Sequence, residues 1–197
     1  MICSRRLWPT LIVAATLTCH AGLASFTLTS WGHFVGRVRT EWHDDGRTMT
    51  MLDDFGYVDA SNFAWKAPKG HNIDGASIPK MFWTFIGGPF EGKYRNASVV
   101  HDYECDVKQR PWRLVHRMFY NASRCGGVEE TRAKVMYAAV YHFGPRWGSN
   151  KGLRPLKTDE DFLRLRDYIR SNPTISLDQI ESLDQAKLGA LERRKRP

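Results

Sequence analysis

Cysteine is scarce in this chain of 197 residues, and two of its four cysteines lie within the first 19 positions. So few thiols exclude a disulfide-dense scaffold, and none of them forms a Cys-x-x-Cys pair. No P-loop, dinucleotide fingerprint or His-Glu-x-x-His occurs either. Ser77 lacks the Gly-x-Ser-x-Gly elbow of an exposed serine nucleophile. Internal repeats are absent. With 42% hydrophobic and 25% charged residues, the composition is neither disordered nor collagen-like, and the length allows a core without staples.

Acid is absent from the first 24 residues, which read as a secretory signal peptide. Arg5 and Arg6 form a positive start, Leu7 to Leu23 is mostly apolar, and Gly22-Leu23-Ala24 supplies small residues for cleavage before Ser25. Pro9 and His20 interrupt a run already short for a membrane span. The expectation is export to the periplasm or beyond the cell. Cleavage would lower the net charge from +8 to +6, leaving 27 basic against 21 acidic residues. Four basic residues crowd the last five positions, so much of the surplus is a tail. Export removes nucleic acid as a partner and leaves anionic envelope material, peptidoglycan or lipid. The run Arg193 to Arg196 could itself touch a membrane surface, although such a run is more often a solvated helix end.

The fold expected is α+β: a small antiparallel sheet, then a helical hairpin and further helices, with a helical C-terminal tail. Strand-like runs cover 34–42, 48–52 and 62–66. Ser77 would cap a short aromatic helix containing Met81, Phe82, Trp83 and Phe85. Longer helices are predicted over 96–108, 111–124 and 128–143. The division is a leader at 1–24, an α+β domain at 25–148, a Gly/Pro-bearing linker at 149–158 and a detachable helical extension at 159–197. Ser176 to Gln179 resembles a capping box opening a final helix.

Chemistry concentrates in the hairpin around Gln109. His101 and His116 stand eight and seven residues from its centre, so antiparallel helices bring them level. Axes about 8–10 Å apart would let the two imidazoles share one ligand. His101 shares a stripe with Ala97 and Cys105, and His116 sits among Trp112, Phe119 and Tyr120. Cys125 is twelve residues, or ~18 Å, beyond the level of Cys105, so two free thiols are expected. Asp74, His101 and His116 would suit Zn2+, with Asp102 as general base or orienting group. Alternatively His101 activates water while Asp102 and loop carbonyls hold Ca2+. Ser77, Tyr103, Trp112 and Tyr120 are the residues expected to bind substrate. Plain packing competes with all of this: a histidine facing another helix is most often a satisfied core residue, and Asp74 suits a turn. His142 reads as a packed helix-end histidine.

Asp74-Gly75-Ala76-Ser77-Ile78-Pro79, Gly88-Pro89, His101-Asp102-Tyr103 and the Arg113 to Phe119 helix together resemble domain-of-unknown-function family 1353, found in bacteria and phages. The resemblance spans roughly Phe34 to Trp147 and implies a compact α+β domain without an established activity. It also implies an acid where this chain has His116, an exchange that suits a ligand or a hydrogen-bond partner of His101. His101-Asp102 facing a polar partner and a Phe is similar, over about 25 residues, to the core of small secreted phospholipases. There the His activates water and the Asp holds calcium; the Gly-rich calcium loop and cysteine scaffold of those enzymes are missing here. These observations lead to two expectations. One is an exported envelope hydrolase, metal-assisted, acting on peptidoglycan peptides or phospholipids through His101 and Asp102. The other is a non-catalytic envelope or phage-related binding protein.

Overall fold

A computed structural model describes residues 31–75, 90–149 and 156–195, and within 191–195 only the backbone. The leader, the DGASIP residues from Ala76 onward with the aromatic helix, and most of the linker lie outside the described residues. So do the side chains of Arg193 to Arg196.

The architecture is α+β, with two small antiparallel sheets rather than one. Strands β1 (His33–Val35), β4 (Phe55–Val58) and β5 (Ala64–Ala67) form the first, in the order β1-β4-β5. The second holds β2 (Thr40–Trp42), β3 (Met49–Met51) and β6 (Asn72–Ile73), in the order β2-β3-β6. Phe34 pairs with Tyr57, and Glu41 with Thr50. The single run expected over 34–42 is therefore divided between two sheets. The division falls after Gly36, which has φ +82°, where a Cβ would stand 2.8 Å from the Asp54 carbonyl oxygen. Turn chemistry at Asp45 is as the sequence suggests. Its carboxylate accepts from Arg47 N at 2.9 Å and Thr48 N at 2.8 Å, closing the β2–β3 hairpin. The Thr48 hydroxyl, followed by backbone hydrogen bonds from Arg47 and Thr48, lowers the Asp45 pKa to about 2.

Among the described residues six α-helices follow: α1 (Arg95–Val107), α2 (Trp112–Cys125), α3 (Glu130–Phe143), α4 (Asp159–Ser171), α5 (Leu177–Glu181) and α6 (Gln185–Lys195). Lys108 ends α1 in the left-handed region at φ 53°, and Pro111 precedes α2, so the two helices form a tight hairpin. Helix α1 lies against both sheets, with Val99 and Val100 in the same core as Tyr57, Ala67 and Ile73.

The C-terminal extension is docked, which corrects the picture of a detachable tail. Leu156, Phe162, Leu165, Ile169 and Ile180 are fully enclosed in the common core, and Phe162 meets Phe143 edge-to-face at 6.0 Å. Polar contacts reinforce this. Glu181 accepts from Arg117 at 2.7 Å and from the Tyr137 hydroxyl at 2.6 Å, and Arg117 also pairs with Asp178. The final helix expected from Ser176 is two helices. The Ser176–Gln179 capping box opens α5, and Asp184 then caps a new start by accepting from Lys187 N at 2.7 Å.

Candidate metal centre

Helix geometry assembles the site. His101 and Cys105 lie four residues apart, one turn of α1, so they share a face. The α1–α2 hairpin returns the chain antiparallel and places His116 opposite them. His101 Nε2 and His116 Nδ1 are 2.8 Å apart, and Cys105 Sγ is 3.7 Å from His101 Nε2 and 3.9 Å from its Nδ1. One donor atom from each of the three lies within 4.8 Å of the others. His101 and His116 are 0% exposed and Cys105 5%. This is a His-Cys-His group able to hold a metal ion.

The hydrogen bonds around it determine which nitrogens offer lone pairs. His116 Nε2 is 3.0 Å from the Pro145 carbonyl, which only accepts, so that nitrogen carries the proton. The lone pair of neutral His116 is then on Nδ1, facing His101. Metal-ligating histidines are oriented in this way, by the other ring N–H donating to a carbonyl. Without metal, His101 Nε2–H donates to that lone pair. The rings are held by aromatic walls: Phe119 at 4.7 Å from His101, with Trp112 at 5.5 Å and Trp147 at 6.2 Å from His116. Trp147 is itself fixed by its indole N–H, which donates to the Arg110 carbonyl at 2.7 Å.

Burial makes the metal-free group neutral. It pushes the His101 pKa well below that of a free imidazole, and the neighbouring His116 pushes it further down. Burial likewise raises the Cys105 thiol well above its usual value, assisted by Asp102, Asp106 and Glu104. A thiolate at this position needs a cation to compensate it.

The other residues singled out in the sequence have different surroundings. Asp102 Oδ2 accepts from the backbone N–H groups of Asp74 and Gly75, both at 2.9 Å, so this carboxylate ties the loop after β6 to α1. Asp74 is not in the His-Cys-His group; its carboxylate is 3.2 Å from the Arg47 guanidinium. Tyr103 is half-buried, edge-on to His71 at 4.7 Å. Trp112 is buried against Tyr141, and Tyr120 is buried between Trp31 and Tyr137, so both rings are core residues. Ser77 lies outside the described residues. His142 is buried, with its Nε2 donating to the Ile180 carbonyl at 2.9 Å. Among the described residues Cys105 and Cys125 are free thiols.

Cys105 as a third donor is what the sequence reading missed. Its signal in the sequence is the four-residue spacing from His101 on one helix face. The contribution of Pro145 and Trp147 has no signal in the sequence, because it comes from a loop 29 residues beyond His116.

Residues 49–140 match the family model described as protein of unknown function (DUF1353). The resemblance to this family therefore holds over that stretch, which lies within the wider span of Phe34 to Trp147 expected from the sequence. Two proteins of Sinorhizobium fredii (strain NBRC 101917 / NGR234) are similar to this chain. Uncharacterized protein y4jT is 50% identical over 97 residues, covering 49% of this chain and 29% of its own length. Uncharacterized protein y4iH is 46% identical over 104 residues, covering 53% of this chain and 44% of its own. The chain thus spans less than half the length of either relative. No solved structure matches it.

Proposed function

We propose that this protein is a zinc-dependent hydrolase of the cell envelope, exported by its N-terminal leader, that cleaves a peptide or ester bond. The observation that carries this reading is the convergence of His101 Nε2, His116 Nδ1 and Cys105 Sγ, with His116 oriented by the Pro145 carbonyl. Two imidazoles and a thiol favour zinc over calcium, which prefers oxygen donors. Among the described residues the group offers three ligands, the number found in zinc sites that do chemistry. Zinc held by His101, Cys105 and His116 would supply a Lewis acid there. Within this reading His101 is a ligand rather than a general base, and Asp102 positions the loop beside the ligand helix. Among the described residues no helix is long and apolar enough to cross a membrane.

A second reading, a metal that only pins the hairpin in a non-catalytic envelope protein, is favoured by the near-complete burial of all three ligands. Elemental analysis of the purified chain, with hydrolysis of wall peptides and phospholipid vesicles, decides between them. The hydrolase reading expects one zinc per chain and an activity that chelation abolishes and zinc restores. Zinc without activity on either substrate establishes the pinning reading. Protein that takes up no zinc refutes both.

A further inference from the structure

All three residues of the His-Cys-His group are buried, yet a hydrolase must let its substrate reach the metal. The aromatic walls around the group differ in depth. Phe119 against His101 and Trp112 against His116 are themselves buried, whereas Trp147, also against His116, is half-buried and reaches solvent. It is the thinnest of the three covers. Its indole N–H is fixed by the bond to the Arg110 carbonyl at 2.7 Å. The residue that supplies this carbonyl is itself held firmly. The Arg110 guanidinium pairs with Glu104 at 2.6 Å and lies 5.1 Å from the ring centres of both Phe63 and Trp65. A separate group orients His116, the carbonyl of Pro145 two residues before the indole. Arg146 anchors the loop between them, donating to the Tyr141 carbonyl at 2.8 Å and lying 4.6 Å from the Trp112 ring centre. On the other side Gly148 is exposed at φ +79°, with no described atom within 4 Å of where a Cβ would stand. The indole can therefore turn outward about its own side-chain bonds while His116 keeps its partner.

We propose that Trp147 is the gate of this centre: its indole leaves the Arg110 carbonyl and swings outward to admit substrate, then returns to exclude bulk water. This rests on the reading of the group as a reaction centre. Closure keeps water from the buried group and so strengthens every electrostatic interaction inside it. Opening is inexpensive, because the latch is a single neutral hydrogen bond that exchanges for one to water.

The test is labelling of the metal-free full chain with N-ethylmaleimide, read by mass spectrometry at Cys105 with Cys125 as internal reference. Cys125 is half-buried at the far end of α2, where its thiol donates to the Gly32 carbonyl. A gate that opens locally leaves the wild-type Cys105 rate unchanged by urea below the unfolding transition. Trp147→Phe keeps a ring but loses the latch, and should raise the Cys105 rate relative to Cys125 about fivefold. Trp147→Ala should raise it about tenfold or more. The proposal is overturned if wild-type Cys105 reacts only as fast as the whole chain unfolds, or if Trp147→Phe matches wild type. It is equally overturned if the variants speed Cys105 and Cys125 alike, because that is general loosening. Zinc uptake by the wild type is a separate measurement: its failure removes the hydrolase reading and leaves the labelling result standing.

Discussion

Zinc should stabilise the folded chain through three side chains, and the size of the effect can be worked from their geometry. Tetrahedral zinc with Zn–N near 2.0–2.1 Å and Zn–S near 2.3 Å places two nitrogens about 3.3 Å apart, and nitrogen and sulfur about 3.5 Å apart. The sulfur already stands 3.7 Å from His101 Nε2, whereas the two nitrogens are 2.8 Å apart. Binding therefore parts the imidazoles by about half an ångström, draws His116 Nδ1 and Cys105 Sγ, which lie within 4.8 Å, to about 3.5 Å, and replaces one hydrogen bond, worth about 1 kcal/mol net. At free zinc about 100 times the Kd, the folded state gains about 2.7 kcal/mol. For a chain of this size that corresponds to a rise in Tm of about 5–11 °C. Differential scanning fluorimetry with and without zinc reads this directly. His116→Ala and Cys105→Ala should each lower the starting Tm and abolish the increment, while Asp74→Ala keeps it. The increment separates ligation from packing, because each variant is compared only with itself. A wild-type Tm that zinc leaves unchanged, or an undiminished increment in Cys105→Ala, would refute the three-ligand site.

Two further outcomes test the fold around the site. His142 is held to a pKa of about 4, chiefly by burial, with its bond to the Ile180 carbonyl and the nearby Glu181 opposing the effect and Arg146 adding to it. The folded chain keeps this imidazole neutral, whereas the unfolded chain protonates it below about pH 6.5. Its contribution is thus complete above that pH and falls by about 3 kcal/mol as the pH drops to 4. Urea unfolding at pH 7 and pH 4.5 should show a smaller loss for His142→Gln than for wild type; equal losses would contradict the assignment. Phe162→Ala removes a ring that is 1% exposed and packed on Phe143, and should cost about 3–5 kcal/mol by denaturant titration. A cost under about 1 kcal/mol would mean that α4 does not share the core.

Much of the helical half is legible in the sequence because its signals are local. Pro111 and the Gly126-Gly127 pair bracket α2, and Ser176 with Gln179 announces α5. The strands are less legible. Phe55–Val58 carries Gly56 and follows two acids, so its alternation is faint, and only pairing with β1 and β5 makes it a central strand. Asp184 restarts a helix that periodicity alone would continue, because its side chain captures a backbone N–H.

By itself the sequence determined the level pairing of His101 with His116, since hairpin symmetry and helical rise depend only on residue spacing. The separation of the two thiols follows from the same rise. Tertiary structure alone decided what completes the pair. Cys105 and not Asp74 stands beside the pair as the candidate third donor, while Asp102 holds the loop after β6 by its backbone N–H groups. His116 presents Nδ1 because a carbonyl from the loop after α3 takes the proton on its other nitrogen. Spacing gives the height of a side chain on its helix; the direction of its lone pair depends on partners that only folding brings near.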